Sequence, residues 1–210
     1  MKKKIIVTLQ SLVVVYLITN MIINNLQSFD LLSTAMGLLG LFGNILLTHK
    51  KESTFALNMT NNVLGFILSF QNRFFAEVLM NAYYFITQAF VGIPYFKRNK
   101  DETGNVKTTA DSNVKQLAVS VGLGFIAMGA FSYFLNGNMV FLDSLQNAIA
   151  ITAQFRQMNG KADGWLLWVV SNIINMIVWA SVGNWILVAS FGAYVVIALT
   201  GYWNWSADND

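Results

Sequence analysis

Between residues 165 and 179 the sequence places Trp165, Trp168, Asn172, Asn175 and Trp179 in a stretch without a charged residue. At about 100° per residue these five side chains fall within about 80° of one another on a helix, forming a single stripe of indoles and amides. An indole face stacks on a flat ring and attracts a cationic one by about 0.5–2 kcal/mol, while a carboxamide offers two donors and an acceptor. The same register between 55 and 69 gives Phe55, Asn58, Asn62, Gly65 and Ser69. Two such stripes face to face would enclose a pocket for a flat ring bearing hydroxyls or amides. Gln88 and Asn147 join the list as wall residues, and Tyr84 and Tyr194 as positions where either packing or ligand contact fits.

Other chemistry is excluded by residue type. The chain has no cysteine and a single histidine, His49, so a thiolate nucleophile, a thiolate metal site and an imidazole cluster are all absent. No Ser/His/Asp set or buried carboxylate pair suggests catalysis. Catalytic residues, metal ligands and cofactors are therefore expected to be none. Glu77 and Asp143 are the only carboxylates inside apolar stretches. Each lies within about one turn of a stretch's end, where a carboxylate can reach lipid headgroups, and that is the reading given to them.

The elements that must hold these stripes follow from composition. The 210 residues are 55% apolar and 11% charged, against roughly 25% charged in a soluble chain. Lipid is the solvent this pattern fits. Largely uncharged stretches of about 20 residues span a bilayer, at least seven are evident, and eight candidate spans are read: 5–24, 31–48, 54–71, 74–96, 117–135, 139–155, 164–182 and 185–205. With the N-terminus inside, twelve basic residues fall in inner segments and only Arg73 in an outer loop. This asymmetry places both termini in the cytoplasm. The net charge of +3 is explained by the same topology, and nucleic acid is set aside as a partner. The first span is read as a retained helix, since it lacks a small-x-small cleavage site.

A loop at 97–115 divides the spans. At an offset of 110, Lys51 falls on Lys161, Phe55 on Trp165, Asn62 on Asn172 and Tyr84 on Tyr194. The fold class expected is an all-α integral membrane protein with eight transmembrane helices: an extra N-terminal helix (1–25), a three-helix repeat (26–98), a cytoplasmic loop with a linker helix (99–138) and a second, parallel three-helix repeat (139–210). Such a plan puts a substrate site near the midplane between repeats. No ionisable group near the midplane points to proton coupling, so facilitated diffusion is the simplest mechanism; a sodium site built from carbonyl and amide oxygens would leave no such mark.

Several of these residues carry a second reading. Tryptophan at a helix end anchors at the membrane interface, the role assigned to Trp185, Trp203 and Trp205 and an alternative for Trp165. Intramembrane amides also act as interhelical glue worth about 0.6 kcal/mol. Gln88, Gln146, Asn147 and Gln154 lack a counterpart in the other repeat. Pro94, the single proline, is expected to close the fourth span.

The segment Trp165-Leu-Leu-Trp168-Val-Val-Ser-Asn172, a W-x-x-W-x-x-x-N pattern, with Asp143-Ser144 one helix earlier and the basic turn Lys50-Lys51 before an Asn-rich third span, resembles the PnuC family of bacterial vitamin transporters. The likeness runs from about residue 31 to 205. It implies a SWEET-like three-plus-one-plus-three core, a homotrimer in the bacterial cytoplasmic membrane, and uptake of nicotinamide riboside by facilitated diffusion with intracellular phosphorylation trapping the product. It also implies that Trp165, Trp168 and Asn172 line the site, faced by Asn62 and its neighbours. Related branches carry thiamine, riboflavin or deoxynucleosides, so the substrate stays open among these. A different class, the substrate-binding subunit of an ATP-driven importer, has about six helices and no parallel repeat.

Overall fold

In the computed structural model, residues 2–27, 30–100, 106–109 and 114–206 are described. They fold into eight helices: α1 (Lys2–Gln27), α2 (Leu31–Thr48), α3 (Thr54–Gln71), α4, α5 (Val114–Phe134), α6 (Val140–Met158), α7 (Gly164–Ala180) and α8 (Trp185–Ser206). Helix α4 is composite, α-helical over Phe75–Thr87, π-helical over Gln88–Gly92 and α-helical again over Ile93–Arg98. The matrix of packed pairs closes six helices into a ring, in which α2 meets α3, α3 meets α4, α4 meets α6, α6 meets α7, α7 meets α8 and α8 returns to α2. Helix α1 lies outside against α8, and α5 lies outside against α6. In α5 only Ser132 is buried.

Helices α1, α2, α5 and α8 are long and apolar enough to cross a membrane on length and composition alone. The shorter α7 is apolar too. Helices α3 and α6 are long enough but carry Asn58, Asn61 and Asn62 in one case and Asp143, Gln146, Asn147 and Gln154 in the other. Asn58, Asn61, Asn62, Asn147 and Gln154 face the interior of the ring, and Asp143 and Gln146 are buried against α4 and α7, which lowers hydropathy without exposing polar groups to lipid.

Local chemistry explains the helix ends. Asp30 caps α2 by accepting from the Ser33 N–H at 3.0 Å, which satisfies one of the donors a helix start leaves over. Pro94 does not end the fourth span as expected; the helix runs on to Arg98. A proline ring collides with the carbonyl four residues back and donates nothing to it, and the π-helical turn immediately before Pro94 is one of the adjustments that relieves such a collision.

The turns of the two halves match at an interval of 110 residues. Lys50 and Arg73 have φ of 57° and 59°, and Gly160 and Gly183 have 70° and 71°. Lys51 N–H donates to Leu46 O at 3.0 Å as Lys161 N–H does to Arg156 O at 2.9 Å, and Phe74 N–H to Ser69 O at 2.9 Å as Asn184 N–H to Trp179 O at 3.1 Å.

Of the loop expected at 97–115, residues 101–105 and 110–113 lie outside the described residues. The piece between them is tied down: Val106 is buried with Leu47, Phe96 and Trp205, and Thr109 exchanges backbone hydrogen bonds with Gly160 and Ala162. Trp205 is not an interfacial anchor. It is fully buried, with its indole N–H 3.3 Å from Leu47 O, because the final turn of α8 folds in beneath α2. Trp185 and Trp203 are exposed, as anchors require.

Candidate functional site

The helix ring encloses a cavity with about 860 Å³ of atom-free space, counted to its opening. Nine of the ten residues singled out from sequence line it: Asn58, Asn62, Tyr84, Gln88, Asn147, Trp165, Trp168, Asn172 and Tyr194. The tenth, Phe55, does not. It is buried against Phe96, ring centroids 5.0 Å apart, and over Gly92, where an added Cβ would sit 2.7 Å from its ring. Trp165 has the matching arrangement in the second half, edge-on to Trp205 at 5.4 Å and over Gly201, with a Cβ 2.6 Å away, yet its larger indole also reaches the cavity.

Aromatic surface gathers toward the ends of α3, α4, α6 and α7 that the charge pattern assigns to the inner side. Tyr84 and Trp168 lie 5.6 Å apart with planes inclined at 52°. The Trp168 indole N–H donates to Gln157 Oε1 at 3.1 Å, which fixes the ring's orientation. Tyr194 donates its hydroxyl to Gly37 O at 3.0 Å and so ties α8 to α2 across the cavity wall. On α7 the stripe reaches the cavity through Asn175 and stops there, because Trp179 turns away to pack edge-on against Phe74 at 5.2 Å.

The polar atoms of the wall are unevenly satisfied. Asn147 donates to Asp143 Oδ1 at 2.9 Å, Gln154 to Thr87 at 3.1 Å and Asn58 to Thr54 at 3.0 Å. Asn61 Oδ1, Asn62 Nδ2, Glu77 Oε2, Gln88 Oε1, Gln157 Nε2, Trp165 Nε1 and Asn175 Oδ1 are buried with no hydrogen-bond partner. All seven belong to residues that line the cavity. A buried polar group without a partner costs about 1–3 kcal/mol, so these seven atoms are open to water or to a hydrogen-bonding ligand.

Two carboxylates depart from the sequence expectation. Glu77 is 5% exposed and Asp143 is fully buried, so neither reaches the headgroups. The start of α4 explains Asp143: Phe74 at its N-cap has no side-chain bond to give, and Asp143 of α6 supplies one from outside by accepting the Ala76 N–H at 3.1 Å. Glu77, one residue further, is thereby turned into the cavity. Asn44, Asn61, Asn81, Gln154 and Gln157 also line the wall. Each is a polar side chain in or at the end of an apolar helix, and that was the available signal. Among the described residues no group of three or more His, Cys, Asp or Glu could hold a metal ion.

A closed ring of lipid-compatible helices around a cavity of unpaired amides and aromatic rings is the plan of a small-molecule transporter. Residues 30–207 match the family described as Nicotinamide mononucleotide transporter, and the chain belongs to that family. It is similar to proteins named Nicotinamide riboside transporter PnuC: that of Haemophilus influenzae is 23% identical over 180 residues, covering 83% of this chain and 79% of the relative. The Escherichia coli one is 22% identical over 183 residues, covering 74% and 77%. A solved structure titled "Crystal structure of the Vitamin B3 transporter PnuC" superposes with a TM-score of 0.77 at 17% identity, covering 93% of this chain and 89% of that one. The chain is a multi-pass membrane transporter, not an enzyme.

Proposed function

We propose that this protein takes up nicotinamide riboside by facilitated diffusion across a bacterial cytoplasmic membrane, with both termini inside and intracellular phosphorylation holding the product. The observation that carries the reading is the cavity itself, where unpaired amide atoms stand beside the Tyr84–Trp168 aromatic pair. A pyridinium ring stacks on the indole, and the amides take the ribose hydroxyls and the carboxamide. Trp165, Trp168, Asn172 and Asn62 are the residues assigned to that contact, with Asn58, Gln88, Asn147, Tyr84 and Tyr194 completing the wall. Among the described residues no Lys, Arg or His lines the cavity, so a mononucleotide's phosphate would lack a counter-charge. This favours the riboside.

Eight spans arranged as one extra helix and two parallel three-helix repeats joined by α5 belong to the proposal, supported by the 110-residue match of turns and left-handed residues. Asp143 is committed to capping α4, and a single remaining carboxyl, Glu77, is no proton relay across the membrane. A uniport mechanism is the reading proposed. A homotrimer is part of the same reading and is tested by light scattering on the detergent-purified protein.

Calorimetric titration of the purified protein with nicotinamide riboside, thiamine, riboflavin and thymidine tests the assignment. Selective binding of the riboside supports it; selective binding of another ligand moves the protein to that branch. No binding to any of them refutes it and returns attention to a subunit that needs partners.

A further inference from the structure

Glu77 is the one charged side chain on the cavity wall among the described residues. It is 5% exposed, and its Oε2 has no hydrogen-bond partner. The neighbouring groups do not neutralise it. Asp143 is itself acidic and spends its oxygens on the Ala76 N–H and the Asn147 amide. The Asn81 amide donates to the Glu77 backbone oxygen at 2.9 Å, not to its carboxylate. The buried indole N–H of Trp179 faces the Glu77 carboxyl but stands outside the geometry of a formed hydrogen bond. Among the described residues no basic one lines the cavity.

A carboxylate held out of water without a partner is costly, and a cation entering the cavity removes that cost. Seven residues separate Glu77 from Tyr84 on α4, two helical turns or about 10 Å along the axis, and both line the same cavity. The aromatic pair and the carboxylate therefore belong to one chamber, with the flat-ring surface toward the inner end and the negative charge toward the outer end. Cation–π attraction to the aromatic pair favours a pyridinium or thiazolium over a neutral ring of equal size by about 0.5–2 kcal/mol, and the carboxylate adds a charge term that the amides do not supply.

We infer that Glu77 is the counter-charge that makes this cavity select a cationic heterocycle over a neutral one of the same shape. The inference rests on the riboside reading and narrows it: nicotinamide riboside and thiamine carry a permanent ring cation, whereas riboflavin and deoxynucleosides do not. Glu77 acts on the ligand directly through charge, and a structural role for it would affect all ligands alike.

The test uses two ligands differing in charge and little else, nicotinamide riboside and its neutral 1,4-dihydro form, titrated into the full detergent-purified chain. The wild type is expected to prefer the cation by about tenfold or more. Glu77→Gln should lower that ratio at least threefold, toward what the aromatic pair alone provides, while leaving the affinity for the neutral form within about threefold, and Glu77→Asp should restore part of the preference. A Glu77→Gln protein that keeps the wild-type ratio overturns the inference. Equal binding of the two forms by the wild type overturns it as well, with no need of a folded variant. A wild type that binds neither form refutes the riboside reading and the inference with it.

Discussion

Replacing Trp168 by alanine removes one wall of the aromatic pair and leaves the other standing. Trp168 is half-buried, 5.6 Å from Tyr84, and anchored by its bond to Gln157 Oε1. Stacking of a flat heterocycle on one aromatic ring contributes about 1–3 kcal/mol, and a cationic ring adds about 0.5–2 kcal/mol. The combined loss is about 1.5–5 kcal/mol, a factor of roughly 10 to 4,000 in Kd. The bundle itself should survive, because Trp168 borders a space that is already open and the packed indoles Trp165, Trp179 and Trp205 are untouched. Trp168→Phe separates the two contributions of the residue: it keeps a stacking face and loses the N–H that orients the ring. Titration with nicotinamide riboside, alongside size-exclusion profiles of both variants, provides the readout. The expected order of affinity is wild type, then Trp168→Phe, then Trp168→Ala. A Trp168→Ala protein that elutes like wild type and binds within threefold of it would refute the placement of the ring on this indole.

Asn172→Leu should weaken riboside binding by about 1–3 kcal/mol, since the ligand group it met is left unpaired; unchanged affinity in the same titration would reduce Asn172 to packing. Gly183→Ala and Gly160→Ala should separate on thermal unfolding in detergent. Gly183 has φ +71° and open space around its Cβ position, so alanine costs only the left-handed backbone, about 1 kcal/mol. Gly160 has φ +70° and a Cβ that would lie 2.4 Å from the Tyr95 hydroxyl, and should lower the melting temperature further. His49, at the inner end of α2 with Gln10 Oε1 2.9 Å from its Nε2, is held below its ordinary pKa of 6.5 by burial, then by Lys3 and Lys51. The unfolded chain therefore takes up this proton first on acidification. Stability is full above about pH 6.5 and declines below it, and His49→Asn should flatten that part of the stability profile; an unchanged acid slope would remove His49 as its source.

Helix positions were legible because lipid leaves so few options: an uncharged stretch of this length either spans or has no solvent. The indole–amide stripe was legible for a related reason, since polar groups in an apolar helix must turn inward and a period of 3.6 shows which ones share a face. Glu77 was not legible. A carboxylate one turn from a helix end has an escape to the headgroups, and only the packing of α6 across the start of α4 closes it. The fate of Phe55 turned on size: it holds the place of Trp165 on a matching glycine, but a phenyl ring there stops short of the cavity that an indole reaches. The π-helical turn of α4 left a trace that could have been read. Tyr84 and Tyr194 are 110 residues apart, whereas Gly92 and Gly201, and Phe96 and Trp205, are 109 apart. One extra residue in α4 is what a π-helical turn absorbs, and Pro94 sits just beyond it.

Uptake of labelled nicotinamide riboside by liposomes containing only the purified protein tests the central claim most directly. With no ion gradient and no ATP, the internal concentration should rise until it equals the external one, and ionophores should leave the rate unchanged. Uptake that fails in the absence of a gradient, of ATP or of a partner subunit would contradict a stand-alone uniporter.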